Sequence, residues 1–111
     1  MSNISVDLVS QERKVWAGSA RSISAPSVDG QIGILAGHTP LMAVLQPGRV
    51  TVVAAEGATY HFEISKAVNA PNLEAITGAM SGEPEIDNSV GFLSVDGNLV
   101  TVVADVITQL P

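Results

Sequence analysis

Apolar and polar residues alternate along several short segments of the chain, and this period of two is the feature that most constrains its fold. In NISVDLV the apolar residues Ile4, Val6 and Leu8 fall on one face. In ATYHFEIS the apolar and aromatic face carries Ala58, Tyr60, Phe62 and Ile64. Successive side chains of a β-strand point to opposite sides, so both segments are predicted as strands with one buried face.

Turn dipeptides join such runs into hairpins. Asp29-Gly30, Glu56-Gly57 and Asp96-Gly97 each separate two β-type segments. A strand with one apolar face must lay that face on a second sheet. The chain is therefore predicted to be all-β, an antiparallel β-sandwich of about ten short strands. Within these strands Phe92 and Leu99 are expected to face the core.

The segment 66–90, KAVNAPNLEAITGAMSGEPEIDNSV, interrupts the alternation. Its acidic residues are four of the eleven in the chain: Glu74, Glu83, Glu85 and Asp87. The stretch NLEAITGAM could form about two helical turns with Asn72 as the N-cap. Because its prolines, glycines and acids are typical of surface excursions, the segment is predicted to be an inserted surface segment.

Length and composition restrict the class of protein. The chain has 111 residues, so residues 1–111 are predicted to form a single domain. It has no cysteine, which excludes disulfides and thiolate metal sites. Its net charge of −6 would repel a phosphate backbone, and nucleic acid is not an expected partner. Apolar runs such as LMAVL are far shorter than the about 18 residues of a membrane span, and the first residues lack a secretion signal. The chain is therefore expected to be soluble and to stay in the compartment of synthesis.

Patterns for catalysis or metal binding are missing or incomplete. His38 and His61 lie on different predicted elements, whereas zinc and iron sites usually need three or more protein ligands. GAMSG places Ser81 one position late for a nucleophile elbow. The glycines of GQIGILAG lack the following helix or lysine of a nucleotide-binding loop. No metal, no cofactor and no enzymatic activity is predicted.

The stretch GQIGILAGHTPLMAVLQPG, residues 30–48, combines glycines and prolines with many apolar residues. Its expected anchors in the core are Ile32, Ile34, Leu41 and Leu45. These anchors would hold the loop between them stiffly. For His38, in that loop, two interpretations stay open: it hydrogen-bonds its own loop, or it contacts a partner. His61 is expected to face solvent.

Three motifs follow one another in the order and almost at the spacing of a known family. They read S.ER..W.G, G.IGIL.GH.PL...L.PG and GFLSV..N.V...A, and they begin at Ser10, Gly30 and Gly91. The sequence around them resembles the N-terminal β-sandwich of the epsilon subunit of F-type ATP synthases, called delta in mitochondria. In that family the strand corresponding to FEIS leads almost directly into GFLSV. The resemblance therefore marks the segment 66–90 as an addition of unknown role.

The resemblance implies a non-catalytic subunit of the central stalk, or rotor, which couples the gamma subunit to the c-ring during proton-driven ATP synthesis. In this family the sandwich lies against gamma on one side and rests on the polar loops of the membrane c-ring. The implied gamma-subunit interface comprises Ser10, Gln11, His38, Pro40, Leu41, Met42 and Ala43. The implied c-ring interface comprises Asp29, Gly30 and Gln31. An acid is common in the family where Gln31 stands, so this contact is expected to use hydrogen bonds or Asp29.

Relatives commonly continue into a C-terminal helical hairpin that can clamp the motor and sometimes binds ATP. Because this chain ends at Pro111, soon after the last predicted strand, neither the hairpin domain nor nucleotide binding is expected. The implied location is the cytoplasmic face of the bacterial inner membrane, as a peripheral subunit that meets the membrane only through the complex. The alternative interpretation is a small-ligand-binding or generic protein-interaction β-sandwich.

Overall fold

The computed structural model of the chain describes residues 3–67 and 89–111. These residues form nine strands: β1 (Ile4–Ser10), β2 (Lys14–Ser27), β3 (Gly30–Leu35), β4 (Leu41–Leu45), β5 (Gly48–Ala54), β6 (Thr59–Ser65), β7 (Gly91–Asp96), β8 (Leu99–Ala104) and β9 (Val106–Gln109). No described residue is helical, so none belongs to a helix that could cross a membrane. The predicted all-β class is confirmed, although β2 is a long strand of 14 residues.

The strands are hydrogen-bonded into one sheet that folds onto itself in two layers. The first layer, sheet I, has the order β4-β7-β8-β1 and includes the first half of β2. The second layer, sheet II, contains the second half of β2 between β3 and β5, followed by β6 and β9. β2 passes from one layer to the other at Arg21, an extra residue in its pairing with β5. Such a bulge bends a strand and lets it serve both sheets.

The core lies between the sheets and is built from every second residue of their strands. The inward positions predicted for β1, Ile4, Val6 and Leu8, are buried, as are Phe62 and Ile64 of β6. Side chains on one face of a sheet become fully buried only when a second layer covers that face. Burial on both sheets therefore confirms the predicted β-sandwich.

The three predicted hairpins are present. They join β2 to β3, β5 to β6 and β7 to β8, each pair in antiparallel register. Gly97, in the turn between β7 and β8, has a φ of 62°, a left-handed conformation that glycine adopts without strain. The turn dipeptides were thus sufficient to predict which strands are neighbours in these hairpins.

The expectation that Phe92 and Leu99 face the core is wrong. Phe92 is 40% exposed and Leu99 is 46% exposed, whereas their neighbours Leu93 and Val100 are fully buried. Because Phe92 and Leu93 are both apolar, the alternation along β7 is compatible with either residue facing the core. The structure places Leu93 inside, which turns Phe92 to the outer face of sheet I.

This assignment of faces predicts different costs for two adjacent substitutions. Leu93→Ala should lower the free energy of unfolding by about 3 kcal/mol, because it opens a cavity in the core. Phe92→Ala should lower it by about 1 kcal/mol, mainly through lost cross-strand contacts with Val44 and Val103. Chemical denaturation of both variants measures the difference, and equal losses would contradict the assignment.

The two ends of the segment 66–90 are held beside the same residue. Asp105 Oδ2 accepts a hydrogen bond from the Ala67 N–H at 3.3 Å, and the Asp105 N–H donates to the Val90 carbonyl at 2.8 Å. Val90 is buried, so the last residue of the predicted segment belongs to the core. The possible helix in NLEAITGAM lies in residues 68–88, outside the described residues. The closeness of the two ends agrees with an addition between strands that could be joined directly.

Replacing residues 68–88 by a short Gly/Asn linker should therefore be nearly neutral. Loop-closure entropy grows only with the logarithm of length, so we expect a change of at most about 1.5 kcal/mol, in the stabilising direction. Chemical denaturation of the shortened chain provides the measurement. A loss of several kcal/mol would contradict the surface-segment interpretation, because it would show that the removed residues bury apolar area.

Candidate interaction surfaces

The loop 36–40, which joins β3 to β4, is held by hydrogen bonds to its surroundings. The Gly37 N–H donates to Asn98 Oδ1 at 3.2 Å, and the His38 N–H donates to the Leu35 carbonyl at 3.2 Å. His38 Nδ1 lies 2.7 Å from the Thr39 carbonyl oxygen. A carbonyl can only accept, so Nδ1 carries a proton. The hydrogen bond to its own loop, one of the two interpretations of His38, is therefore present.

The residues of β4 alternate between the two sides of sheet I. Leu41 and Ala43 pair with Val95 and Leu93, whose side chains are buried, and so they face the core side. Met42 lies on the outer side and is 68% exposed. Of the predicted gamma-facing residues on this strand, only Met42 therefore offers its side chain to a partner.

An apolar row crosses the outer face of sheet I beside Met42. It consists of Val9, Val103, Phe92 and Val44, which pair directly with one another across β1, β8, β7 and β4. Phe92 and Val44 are exposed, and the two other members are partly exposed. Contiguous apolar side chains on a protein surface usually mark an interaction site. The apolar row is thus a candidate interface.

Ser10 and Gln11 lie at the other end of sheet I from the loop 36–40. Ser10 is level with Ala104 and Leu45, whereas Leu41, at the start of β4, adjoins that loop. The five residues of β4 therefore separate the two groups along the strand direction by about 13 Å. The structure does not bring Ser10 and Gln11 close to His38, and the apolar row lies between them.

Side chains of the turn 10–13 take part mainly in local contacts. Ser10 Oγ accepts from the Glu12 and Arg13 N–H groups and donates to the Arg13 carbonyl. Gln11 Nε2 donates to Asp105 Oδ1 at 3.4 Å. An open cavity of about 370 Å³ adjoins this turn and is lined by residues 10–13, Ala67 and residues 105–107. The turn is thus held by its own hydrogen bonds and by one contact with Asp105, the residue between β8 and β9.

The predicted c-ring residues Asp29, Gly30 and Gln31 are exposed at the tip of the β2–β3 hairpin. Just before them, the Val28 N–H donates to the Val44 carbonyl at 2.9 Å. The hairpin tip therefore lies next to the end of β4 that is far from the loop 36–40. The length of β4 separates the hairpin tip from the loop 36–40, whereas Ser10 and Gln11 lie at the same end of sheet I as the tip.

The outer face of sheet II carries a row of polar side chains. Ser24, Thr51 and His61 pair across β2, β5 and β6, and Thr51 Oγ1 lies 3.1 Å from His61 Nδ1. His61 is half-buried in this polar row, so it faces outward as predicted but also contacts its cross-strand neighbour. These two rows thus differ, since one consists of apolar and the other of hydrogen-bonding side chains.

The described residues include no group of three or more His, Cys, Asp or Glu side chains that could hold a metal ion. The ion pair between Lys14 Nζ and Asp7 Oδ1, at 3.7 Å, is exposed and contributes little to stability.

Sequence reasoning missed Val44, Phe92 and Asn98 as residues of these surfaces. The alternation of LMAVL already places Val44 on the same side as Met42, so that signal was available. The pairing of Phe92 with Val44, and the hydrogen bond from Gly37 to Asn98, join residues far apart in the sequence. No local pattern could have predicted them.

The chain matches a known family, and three relatives of similar sequence are ATP synthase epsilon chains. Residues 3–77 match the family described as the ATP synthase Delta/Epsilon chain, beta-sandwich domain. The chain is 49% identical over 59 residues to the ATP synthase epsilon chain of Micrococcus luteus, covering 53% of this chain and 65% of that protein. It is 34% identical over 105 residues to the Bordetella petrii ATP synthase epsilon chain, covering 95% of this chain and 57% of that protein. The corresponding Rhodococcus jostii chain is 33% identical over 106 residues, covering 95% of this chain and 67% of that protein.

A solved structure has the same fold. A chain in the cryo-EM structure of the Euglena gracilis mitochondrial ATP synthase, OSCP/F1/c-ring in rotational state 1, superposes with a TM-score of 0.71 at 18% identity. The match covers 98% of this chain and 54% of that chain. This chain spans 57% of the length of the Bordetella petrii relative and 65% of the Micrococcus luteus one. On its family match and these relatives, the chain belongs to the family of ATP synthase delta and epsilon chain β-sandwich domains.

Proposed function

We propose that the chain acts as a non-catalytic central-stalk subunit of an F-type ATP synthase. In this role it joins the gamma subunit to the c-ring and transmits torque between them during proton-driven ATP synthesis. The observation that carries the proposal is the apolar row on the outer face of sheet I, in a chain of this family. A rotor subunit needs such a surface, because torque passes through packing against its neighbours.

The gamma subunit is the proposed occupant of the outer face of sheet I. The residues predicted to face gamma lie at both ends of this sheet, with Ser10 and Gln11 at one end and His38 and Pro40 at the other. A partner that contacts both ends must cover the apolar row between them. Met42 and Phe92 then become buried in the interface, while Leu41 and Ala43 support β4 from the core side.

The c-ring is the proposed partner of the hairpin tip at Asp29, Gly30 and Gln31. These residues are exposed, and they lie beside the end of β4 that is far from the loop 36–40. Asp29 offers a carboxylate and Gln31 offers an amide, which suit polar loops of a ring subunit. The sandwich would then act as a stiff spacer, with gamma on the outer face of sheet I and the c-ring at one end.

The proposed location is the cytoplasmic face of the bacterial inner membrane, which the chain reaches only through the assembled complex. No cofactor or nucleotide enters the proposal, because packing and hydrogen bonding are enough for transmission of torque. Nucleic acid is not proposed as a partner, since the net charge of −6 disfavours it.

Co-purification tests the proposal directly. The tagged chain, expressed with the gamma subunit of a relative's ATP synthase, should be recovered as a complex, and that complex should bind a detergent-solubilised c-ring. A chain that fails to bind gamma would overturn the proposal. A melting temperature that rises with a small molecule instead would favour a ligand-binding sandwich.

A further inference from the structure

Ser27, at the end of β2, is the buried polar side chain among the described residues, with 3% of its surface exposed. Its hydroxyl donates to the Gly30 carbonyl at 2.5 Å and accepts from the Asp29 N–H at 3.2 Å. Both bonds lie within the β2–β3 turn. A single buried hydroxyl therefore satisfies a donor and an acceptor of the hairpin tip and limits the conformations of Asp29.

The residues on either side of Ser27 attach the same turn to β4. The Val28 N–H donates to the Val44 carbonyl, and the Pro26 carbonyl accepts from the Gln46 N–H, both at 2.9 Å. Ser27 itself pairs with Leu45. These two hydrogen bonds enclose Leu45, whose side chain is fully buried in the core. The hairpin tip is thus tied to the strand that carries Met42.

Close packing limits how far this connection can move. Pro26 lies against Gly48 so closely that a Cβ on Gly48 would come within 3.0 Å of the Pro26 ring. Real Cβ atoms almost never make shorter contacts, so the Pro26 ring and the start of β5 have no free space between them. The turn is fixed by hydrogen bonds on one side and by packing on the other.

We infer that Ser27 is a positioning residue, which holds the hairpin tip at residues 29–31 in one orientation relative to β4. The inference rests on the proposed function, in which the hairpin tip contacts the c-ring and β4 contacts gamma. Ser27 then fixes the geometry between the two partner surfaces without contacting either partner. Loss of its hydroxyl removes one hydrogen bond from the Asp29 N–H and one from the Gly30 carbonyl, so the tip samples more conformations before it binds.

The variant Ser27→Ala tests this role, with Ser24→Ala as the matched control and Ser27→Thr as the conservative replacement. Ser24 lies on the same strand, but its side chain is on the outer face of sheet II. Three quantities are measured: amide hydrogen exchange of the chain, its affinity for gamma, and the affinity of the gamma complex for the solubilised c-ring. A residue that only stabilises the fold would change all three together.

In Ser27→Ala the Asp29 amide should exchange about fivefold faster, the factor that corresponds to one hydrogen bond of average net strength. Core amides such as that of Leu93 should change much less. Affinity for gamma should stay as in the wild type, while affinity for the c-ring should fall at least about threefold from the added ordering cost. Ser27→Thr should restore both values, and Ser24→Ala should match the wild type.

The possible failures can be distinguished. If the wild-type chain binds neither gamma nor the c-ring, the proposed function falls and the role of Ser27 falls with it. If the wild type binds both, and Ser27→Ala equals it in Asp29 exchange and c-ring affinity, only the inference is overturned. Equal losses toward gamma and the c-ring would also overturn it, because they would show a general effect on the fold.

Discussion

Gly91→Ala should lower the free energy of unfolding by more than about 4 kcal/mol, an exceptional loss for a single substitution that severe overpacking can produce. A Cβ on Gly91 would overlap the Val103 carbonyl oxygen and would lie 2.7 Å from Ala104 Cα. Both atoms belong to the backbone of β8, which is paired with β7 on one side and β1 on the other. Because β8 is held on both sides, it cannot shift to make room.

Gly33→Ala is the matched control for this prediction. Gly33 also lies in a strand, but no heavy atom lies within 4 Å of its ideal Cβ position. Its substitution should change the free energy of unfolding by less than about 1 kcal/mol. Urea denaturation of both variants gives the comparison. If Gly91→Ala unfolds at the same urea concentration as Gly33→Ala, then β7 does not pack on β8 as described.

Local sequence pattern was enough to predict the inner faces of strands that alternate cleanly. In β1 the polar residues Ser5 and Asp7 separate Ile4, Val6 and Leu8, so one register alone is compatible with burial. In β7 the neighbours Phe92 and Leu93 are both apolar, and the pattern admits two registers. The choice depends on contacts with β4 and β8, which are distant in the sequence. This is why the position of Phe92 could not be predicted.

For the candidate surfaces too, features set by neighbouring residues could be predicted, whereas features set by strand pairing could not. The stiffness of the loop 36–40 was predicted from its glycines and anchors, and hydrogen bonds at Gly37 and His38 agree with it. The distance between Ser10 and His38 depends on the parallel pairing of β1 with β8, for which the sequence carries no turn signal. The apolar row exists only in the folded sheet, because each of its members comes from a different strand.

The substitution Met42→Asp should weaken binding to gamma by about 3–5 kcal/mol, more than a hundredfold in Kd, while leaving the isolated fold intact. Met42 is 68% exposed in the free chain, so a carboxylate there stays hydrated and costs little. In the complex the same carboxylate would be buried beside the apolar row without a partner, and an uncompensated buried charge is strongly unfavourable. Calorimetric titration of the folded variant with gamma measures the change.

Thr59→Asp is the control that separates this effect from a general effect of added negative charge. Thr59 is exposed on β6, on the outer face of sheet II, so the substitution makes the same change in net charge on the opposite side of the sandwich. Its affinity for gamma should stay within about threefold of the wild type, since a distant surface charge is screened at physiological salt. Equal losses in the two variants would indicate long-range repulsion instead of contact. A folded Met42→Asp variant with wild-type affinity would show that gamma does not bind the outer face of sheet I. A partner that covers the apolar row would also bury the neighbouring charge.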